Sequence, residues 1–246
     1  MRTFITVLFA VLGIILCLPY HLYLHILAKK NPEKAYKKAF KLVKGFFGAV
    51  MFLAGCKRTI IGRDKIPEDT PVMFVGNHRS YFDILSCHNA IGFPVGFMSK
   101  EEIKKIPLLH LYMDDIGCTY LDRSDIKKGF EVIGETAEII KNGHSMMIFP
   151  EGTRNKGDEL LEFKDGSYKI AQKAGCLIIP VSICGTDNIM EANKHNMIHS
   201  HKVIIEFCDP ININGLTPKE RKAVLETIPG IIQETRLKNL PLATKK

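Results

Sequence analysis

The apolar and polar positions divide this chain into two unlike parts. From Thr3 to Ala28, "TFITVLFAVLGIILCLPYHLYLHILA", no residue carries a formal charge. Such a stretch is long enough to cross a hydrocarbon core of about 30 Å. Pro19, His21 and His25 make its second half less oily than a typical span. The expectation is a membrane anchor, spanning or half-inserted. It ranks ahead of a cleaved signal peptide because a lysine-rich helix follows instead of a small-residue cleavage site. In that helix, "NPEKAYKKAFKLVKGFFGAVMFLAG", Asn31 is placed to cap the N-terminus and Pro32 to open the first turn. At about 100° per residue, Lys34, Lys37, Lys38, Lys41 and Lys44 form one stripe. Ala39, Phe40, Leu42, Val43, Phe46 and Phe47 form the opposite one. This pattern suits a helix lying in a membrane interface, lysines toward head groups and phenylalanines toward acyl chains. The plainer alternative is a surface helix packed on a domain.

Beyond about residue 57 the pattern changes to short apolar runs alternating with amphipathic stretches. "RTII", "VMFV", "GFMS", "CTYL", "SMMIF", "CLIIPVSI" and "KVIIEF" read as buried strands. Helices are expected near 80–91, 101–114, 124–142, 165–174 and 217–236. Ser124 caps the third of these and "TPKE" (Thr217–Glu220) opens the last as a capping box. The "LATKK" tail is expected to fray. Strands separated by helices indicate an α/β fold, a mostly parallel central sheet flanked by helices. The expected organisation is therefore residues 1–56 as N-terminal membrane-associating helices and 57–246 as the α/β domain.

Charge sharpens this division. The formal net charge is +8, yet residues 1–60 hold ten Lys/Arg against one acid, Glu33, and residues 61–246 hold 24 against 25. Basic charge confined beside the oiliest segment points to an anionic membrane surface. It argues against nucleic acid, which would call for basic patches on the folded domain. Seven cysteines without CxxC pairing fit free thiols in a reducing compartment.

Four stretches could carry chemistry. In "NHRSYFD" (77–83), Gly76 ends a strand and Ser80 can cap the next helix. His78 then sits in a loop at a strand's C-terminal end, where open α/β sheets bind ligands. On one helix His78 and Asp83 would be about 140° apart and could not meet. With His78 in the loop they can, and Asp83 would fix the imidazole tautomer. "GCTYLDR" (117–123) ends in Asp122 and Arg123, either a surface ion pair or a guanidinium ready for phosphate. "FPEGTRN" (149–155) places Glu151 and Arg154 around a glycine turn. "IIPVSI" (178–183) puts Pro180 inside a β-like run, which implies an edge, a bulge or a kink lining a pocket.

These four blocks, in this order, resemble those of the glycerolipid acyltransferase family, and most closely its lysophosphatidic acid acyltransferases, the PlsC-like enzymes. The resemblance covers about residues 57–210, departing from the usual pattern at Cys118–Thr119. It implies the glycerolipid acyltransferase fold with an N-terminal two-helix membrane module. It implies transfer of a fatty acyl group from acyl-CoA or acyl carrier protein to the sn-2 hydroxyl of lysophosphatidic acid. His78 would be the general base and Asp83 its orienting partner. Direct attack on the thioester needs no acyl-enzyme, in keeping with the lack of a Gly-x-Ser-x-Gly elbow in the sequence. Arg154 would bind the acceptor's phosphate, within a substrate-binding turn that includes Gly152 and Thr153. Glu151 would orient Arg154 or bond the glycerol, and Arg123 and Lys100 are further phosphate ligands. Pro180 would shape the pocket. No cofactor and no metal is implied, and the catalytic domain would lie on the cytoplasmic face of the cell membrane.

Other readings are a related acceptor, either another lysophospholipid or glycerol phosphate, and three different classes. One is a metal-dependent phosphoesterase using His78, Asp83, Asp122 and Glu151, or the cluster His195, His199 and His201. Another is a non-catalytic membrane-binding protein. The third is a thiol acyl-enzyme on Cys118 or Cys184, although strand cysteines are usually inert core residues.

Overall fold

The computed structural model describes residues 1–122 and 124–244. Seven strands form one sheet: β1 (Cys56–Ile61), β2 (Val72–Gly76), β3 (Val95–Lys100), β4 (Thr119–Leu121), β5 (Ser145–Ile148), β6 (Leu177–Cys184) and β7 (His201–Phe207). Their order is β1-β7-β6-β2-β5-β3-β4. Every neighbouring pair is parallel except β6 with β7. All seven apolar runs are strands, and the sheet is mostly parallel as expected.

Period-two alternation builds a core on each face. Val72 and Phe74 of β2 look to one side, where they meet α4 (Tyr81–Ile91) and α3 (Pro32–Ala54). Met73 and Val75 look to the other, against α6 (Ile126–Lys141), α7 (Asp165–Ala174) and α8 (Pro218–Thr244). Strands buried on both faces read as continuous apolar runs, which is why β2 and β5 carry no polar alternation.

Pro180 lies buried in β6. The antiparallel ladder with β7 stops beside it at Val181–Phe207, and only an isolated bridge, Ile178–Ile211, follows. A residue without an N–H thus stands where the ladder is interrupted.

Three helix expectations need correction. The stretch 101–114 is not one helix. A 3-10 turn, Glu101–Lys105, is followed by α5 (Leu109–Asp115), and Pro107 with Leu108 at φ 65° separates them. Proline disfavours helix in the residue before it, and the left-handed Leu108 breaks the run. The cap of α6 is Asp125, whose carboxylate accepts from the Lys128 N–H at 3.1 Å, while Ser124 donates to Asp122. The last helix runs on through Pro229 and Pro241 to Thr244, and Ala243 is buried, so Leu242–Thr244 of the expected tail are helical. Lys245 and Lys246 lie outside the described residues.

The N-terminal segment is α1 (Arg2–Leu16) and α2 (Leu18–Lys30), bent by 44°. Among the described residues no single helix is long and apolar enough to cross a membrane. Both helices pack on the rest of the protein. Phe9 stacks on Phe46 of α3 at 5.9 Å, and a Cβ on Gly13 would meet the Phe46 ring at 2.3 Å, so glycine permits the approach. His21 Nδ1 lies 2.6 Å from Asp115 of α5, and the Tyr112 hydroxyl donates to the Ile14 carbonyl at 2.6 Å.

Helix α3 begins as expected, with Asn31 Oδ1 accepting from Lys34 N at 2.9 Å. Three members of its apolar stripe, Ala39, Phe40 and Val43, are buried in the protein as in a packed surface helix, while Leu42, Phe46 and Phe47 are only partly buried. His88 of α4 packs against this face, a contact that no pattern along α3 reveals. Its ring sits among Phe40, Phe47 and Phe97 at 4.7, 5.2 and 6.3 Å.

Burial in that aromatic box pushes the His88 imidazole down from 6.5 to about 4. The unfolded chain takes up a proton between those values and the folded chain does not. Stability present above about pH 6.5 is therefore lost as pH falls toward 4. Between pH 7 and pH 5 this single group removes roughly 2 kcal/mol. His88→Phe is expected to abolish that share of the pH dependence, read from urea midpoints at the two pH values.

Candidate active site

The parallel strands β2, β5 and β6 end on one edge of the sheet, and the segments that follow them converge there. At the end of β2, Asn77 is fully buried. Its amide donates to the Ile183 carbonyl at 2.9 Å and accepts from the Ile183 N–H at 2.8 Å. Asn77 thus locks the turn after β2 to the end of β6, and the chain emerges at His78 with its direction set.

Helix α4 starts three residues later. Ser80 is its N-cap, accepting from Phe82 N at 3.0 Å, and the Asp83 carboxylate reaches back to Ser80 N at 2.8 Å. This is a capping box, one reason the helix starts where it does. The same carboxylate also holds His78, whose Nδ1 lies 2.8 Å from Asp83 Oδ2. Oδ2 further accepts from Arg79 N at 2.6 Å, and Oδ1 accepts from the Thr186 hydroxyl after β6. Asp83 is completely buried, with both oxygens engaged. Capping the helix and holding the histidine are therefore one arrangement. The imidazole stacks on Phe149 at 4.3 Å and 16°, fixing its plane. With Nδ1–H given to Asp83, Nε2 is the unprotonated nitrogen that can accept a proton.

The loop after β5 turns at Gly152, φ 68°, a conformation that favours glycine. Glu151 is buried, and among the described residues it makes no hydrogen bond to Arg154. Its Oε1 accepts from His78 N at 2.7 Å and its Oε2 from Leu161 N at 3.0 Å. Both oxygens serve backbone groups, because a carboxylate in this turn is the nearest acceptor for two otherwise unpaired N–H groups. Asn155 completes the tie, its N–H donating to the His78 carbonyl at 2.7 Å.

Arg154 is half-exposed. Its guanidinium lies over the Tyr81 ring at 3.8 Å, and its Nη1 donates to Glu191 Oε1 at 3.1 Å. Thr153 is exposed, as is Lys100 at the end of β3. Arg123 lies outside the described residues. Among the described residues, no group of three His, Cys, Asp or Glu side chains gathers as a metal site would require, so neither metal cluster considered from the sequence is assembled. Burial pushes the thiols of Cys118 and Cys184 up, to about 12 and about 11.

Thr186, Glu191, Tyr81 and Asn77 were not singled out from the sequence. Thr186 had a usable signal, since it follows Gly185 at the end of a strand parallel to β2. Glu191 had none, because its partners lie 37 to 111 positions away.

Comparison with known proteins places this geometry in a family. The model of a family described as Acyltransferase matches residues 57–184. The chain belongs to the Acyltransferase family. A 1-acyl-sn-glycerol-3-phosphate acyltransferase of Chlamydomonas reinhardtii is 31% identical over 178 residues, covering 70% of this chain and 53% of that one. A chloroplastic one of Arabidopsis thaliana is 32% identical over 157 residues, 63% of this chain and 44% of its own length. The chain thus spans about half the length of these algal and plant relatives. One from Haemophilus influenzae is 31% identical over 193 residues, 76% of this chain and 75% of that one. The crystal structure of the 1-acyl-sn-glycerophosphate (LPA) acyltransferase PlsC of Thermotoga maritima superposes with a TM-score of 0.71 at 26% identity. That likeness covers 95% of this chain and 98% of that one.

The structural role of Glu151 has a direct check. Glu151→Gln has one acceptor oxygen where two are needed. Amide hydrogen exchange at His78 or Leu161 should then speed up about tenfold or more, since an unmade buried bond costs about 1–3 kcal/mol. Unchanged exchange at both amides would assign Glu151 to substrate instead.

Proposed function

We propose that this protein transfers a fatty acyl group from an acyl thioester, acyl-CoA or acyl carrier protein, to the sn-2 hydroxyl of lysophosphatidic acid, giving phosphatidic acid. The observation that carries the reading is the 2.8 Å bond from His78 to the buried Asp83 at the C-terminal edge of the sheet. Membership of the family and the printed activities of the similar proteins support it.

In this mechanism His78 Nε2 takes the proton from the acceptor hydroxyl as the oxygen attacks the thioester carbonyl. Asp83 holds the tautomer and stabilises the imidazolium that forms. The tetrahedral intermediate collapses with loss of the thiolate, which takes the proton back from His78. Thiolate is a good leaving group, so no strong acid is required. Arg154 holds the acceptor's phosphate through charge-assisted bonds. Lys100 and Arg123 are held as secondary ligands of the same anion.

The protein works from the cytoplasmic side of an anionic membrane, with α1 and α2 immersed and not crossing. Their packing on α3 and α5 supports the immersed, non-crossing placement. So does the exposure of Phe4, Leu16, Leu22 and Ile26, and of Phe52 on α3. An apolar cleft lined by Ile14, Leu42, Phe46, Phe47 and Met113 opens between α1, α3 and α5 and suits the acyl chain.

The test is acyl transfer from one long-chain acyl-CoA to a panel of lysophospholipids and glycerol phosphate, with and without chelator. His78→Ala should lose about 10²–10⁴-fold in kcat with every acceptor used, and chelator should change nothing. Arg154→Ala should raise KM for lysophosphatidic acid. An active His78→Ala protein, or a metal requirement, would overturn the reading. Replacing Leu16 and Leu22 together by Glu should reduce sedimentation with anionic vesicles while leaving the melting temperature within a few degrees. Unaltered sedimentation would remove α1 and α2 from the membrane.

A further inference from the structure

Arg154 is mounted on the same helix end as His78, through residues to which nothing above gives a part in the reaction. We propose that Glu191 and Tyr81 are positioning residues that fix the Arg154 guanidinium to the N-terminus of α4, and so set the distance between the acceptor's phosphate and its reacting hydroxyl. This rests on the reading of Arg154 as the phosphate ligand.

Glu191 is itself firmly placed. Its Oε2 accepts from the Ser80 hydroxyl at 2.6 Å and its Oε1 from the Tyr81 N–H at 2.9 Å. Both donors belong to the first turn of α4, where a carboxylate is favoured by the free N–H groups and the helix dipole. Oε1 then accepts from Arg154 Nη1 at 3.1 Å. Tyr81 supplies the second constraint, its ring beneath the guanidinium at 3.8 Å. One edge and one face of the guanidinium are thereby used. Among the described residues its hydrogen bonds use Nη1 alone, which leaves Nη2 and Nε as donors for an anion.

The mount is shared with the base. Ser80 N donates to Asp83, which holds His78, and Ser80 Oγ donates to Glu191, which holds Arg154. Residues 80–83 therefore carry both the proton acceptor and the cation, and the two keep one spacing even though Arg154 comes from a different loop. In lysophosphatidic acid a fixed number of bonds separates phosphate from sn-2 oxygen, so a fixed spacing selects it. A carboxylate beside an anion ligand weakens binding by charge alone. Its presence is explained by geometry, which gives the two ideas opposite signs in experiment.

The experiment compares kcat/KM for lysophosphatidic acid with that for monoacylglycerol, which offers the same hydroxyl without a phosphate. Glu191→Ala and Tyr81→Leu should each lower the ratio about tenfold or more, as expected for displaced catalytic geometry. Turnover of monoacylglycerol should change far less. Glu191→Gln keeps an acceptor and Tyr81→Phe keeps the ring, and each should recover most of the ratio. Thermal melting of all four variants reports their folding. An unchanged ratio in both Glu191→Ala and Tyr81→Leu, with the ratio lost in Arg154→Ala, overturns the proposal. So does a lower KM for lysophosphatidic acid in Glu191→Gln, which would make Glu191 a competitor of the phosphate. If Arg154→Ala keeps the ratio, the phosphate-ligand reading itself falls.

Discussion

A carboxylate completely removed from water must have its oxygens fully bonded, and the C-terminal edge of the sheet is arranged around that requirement at Asp83. The donors come from the loop after β2, from the N-cap of α4, from the imidazole of His78 and from Thr186 after β6. Together they make the position of the imidazole a consequence of how α4 starts and how β2 and β6 lie side by side. Asn77 strengthens that dependence by joining the two strand ends through both the N–H and the oxygen of its side-chain amide.

The same logic extends outward. Glu151 ties the loop after β5 to the backbone of His78, and Asn155 ties it a second time. Arg79 lies beside the centre but is paired with Asp187 at 2.9 Å, so it braces the segment after β6. Phe149 is the floor under the imidazole and touches Phe97, which in turn meets the aromatic box that docks α3. Polar ties thus hold this edge of the sheet from above, and an apolar layer supports it from below. The N-terminal helices join that layer through Leu24 and Met51 and α3. The N-terminal helices and the charged centre are in this way parts of one packed body.

What could be read from the sequence follows the range of the interaction concerned. The strands were legible because a strand buried on two faces needs a short apolar run, whatever its neighbours are. His78 and Asp83 were legible because five positions and a turn bring them together locally. The break at Pro107 was missed because the amphipathic pattern continues across it. The burial of Ala39, Phe40 and Val43 was not legible because lipid and a protein core ask for the same apolar residues, and His88, which covers Phe40, lies 48 positions away. The bonds of Glu151 to the His78 and Leu161 N–H groups were not legible, because a backbone N–H has no signature in residue type. Glu191 could not be found at all from pattern, since it follows a 3-10 turn of no particular character and works across the fold.

The most direct measurement is a crystal structure with a lysophosphatidic acid analogue bound in the presence of a non-hydrolysable acyl thioester analogue. The account predicts phosphate oxygens within about 3 Å of Arg154 Nη2 or Nε, and the sn-2 oxygen within about 3 Å of His78 Nε2. The Glu191 and Tyr81 contacts should remain in place. A phosphate held away from Arg154, or an sn-2 oxygen directed at any base other than His78, would contradict it.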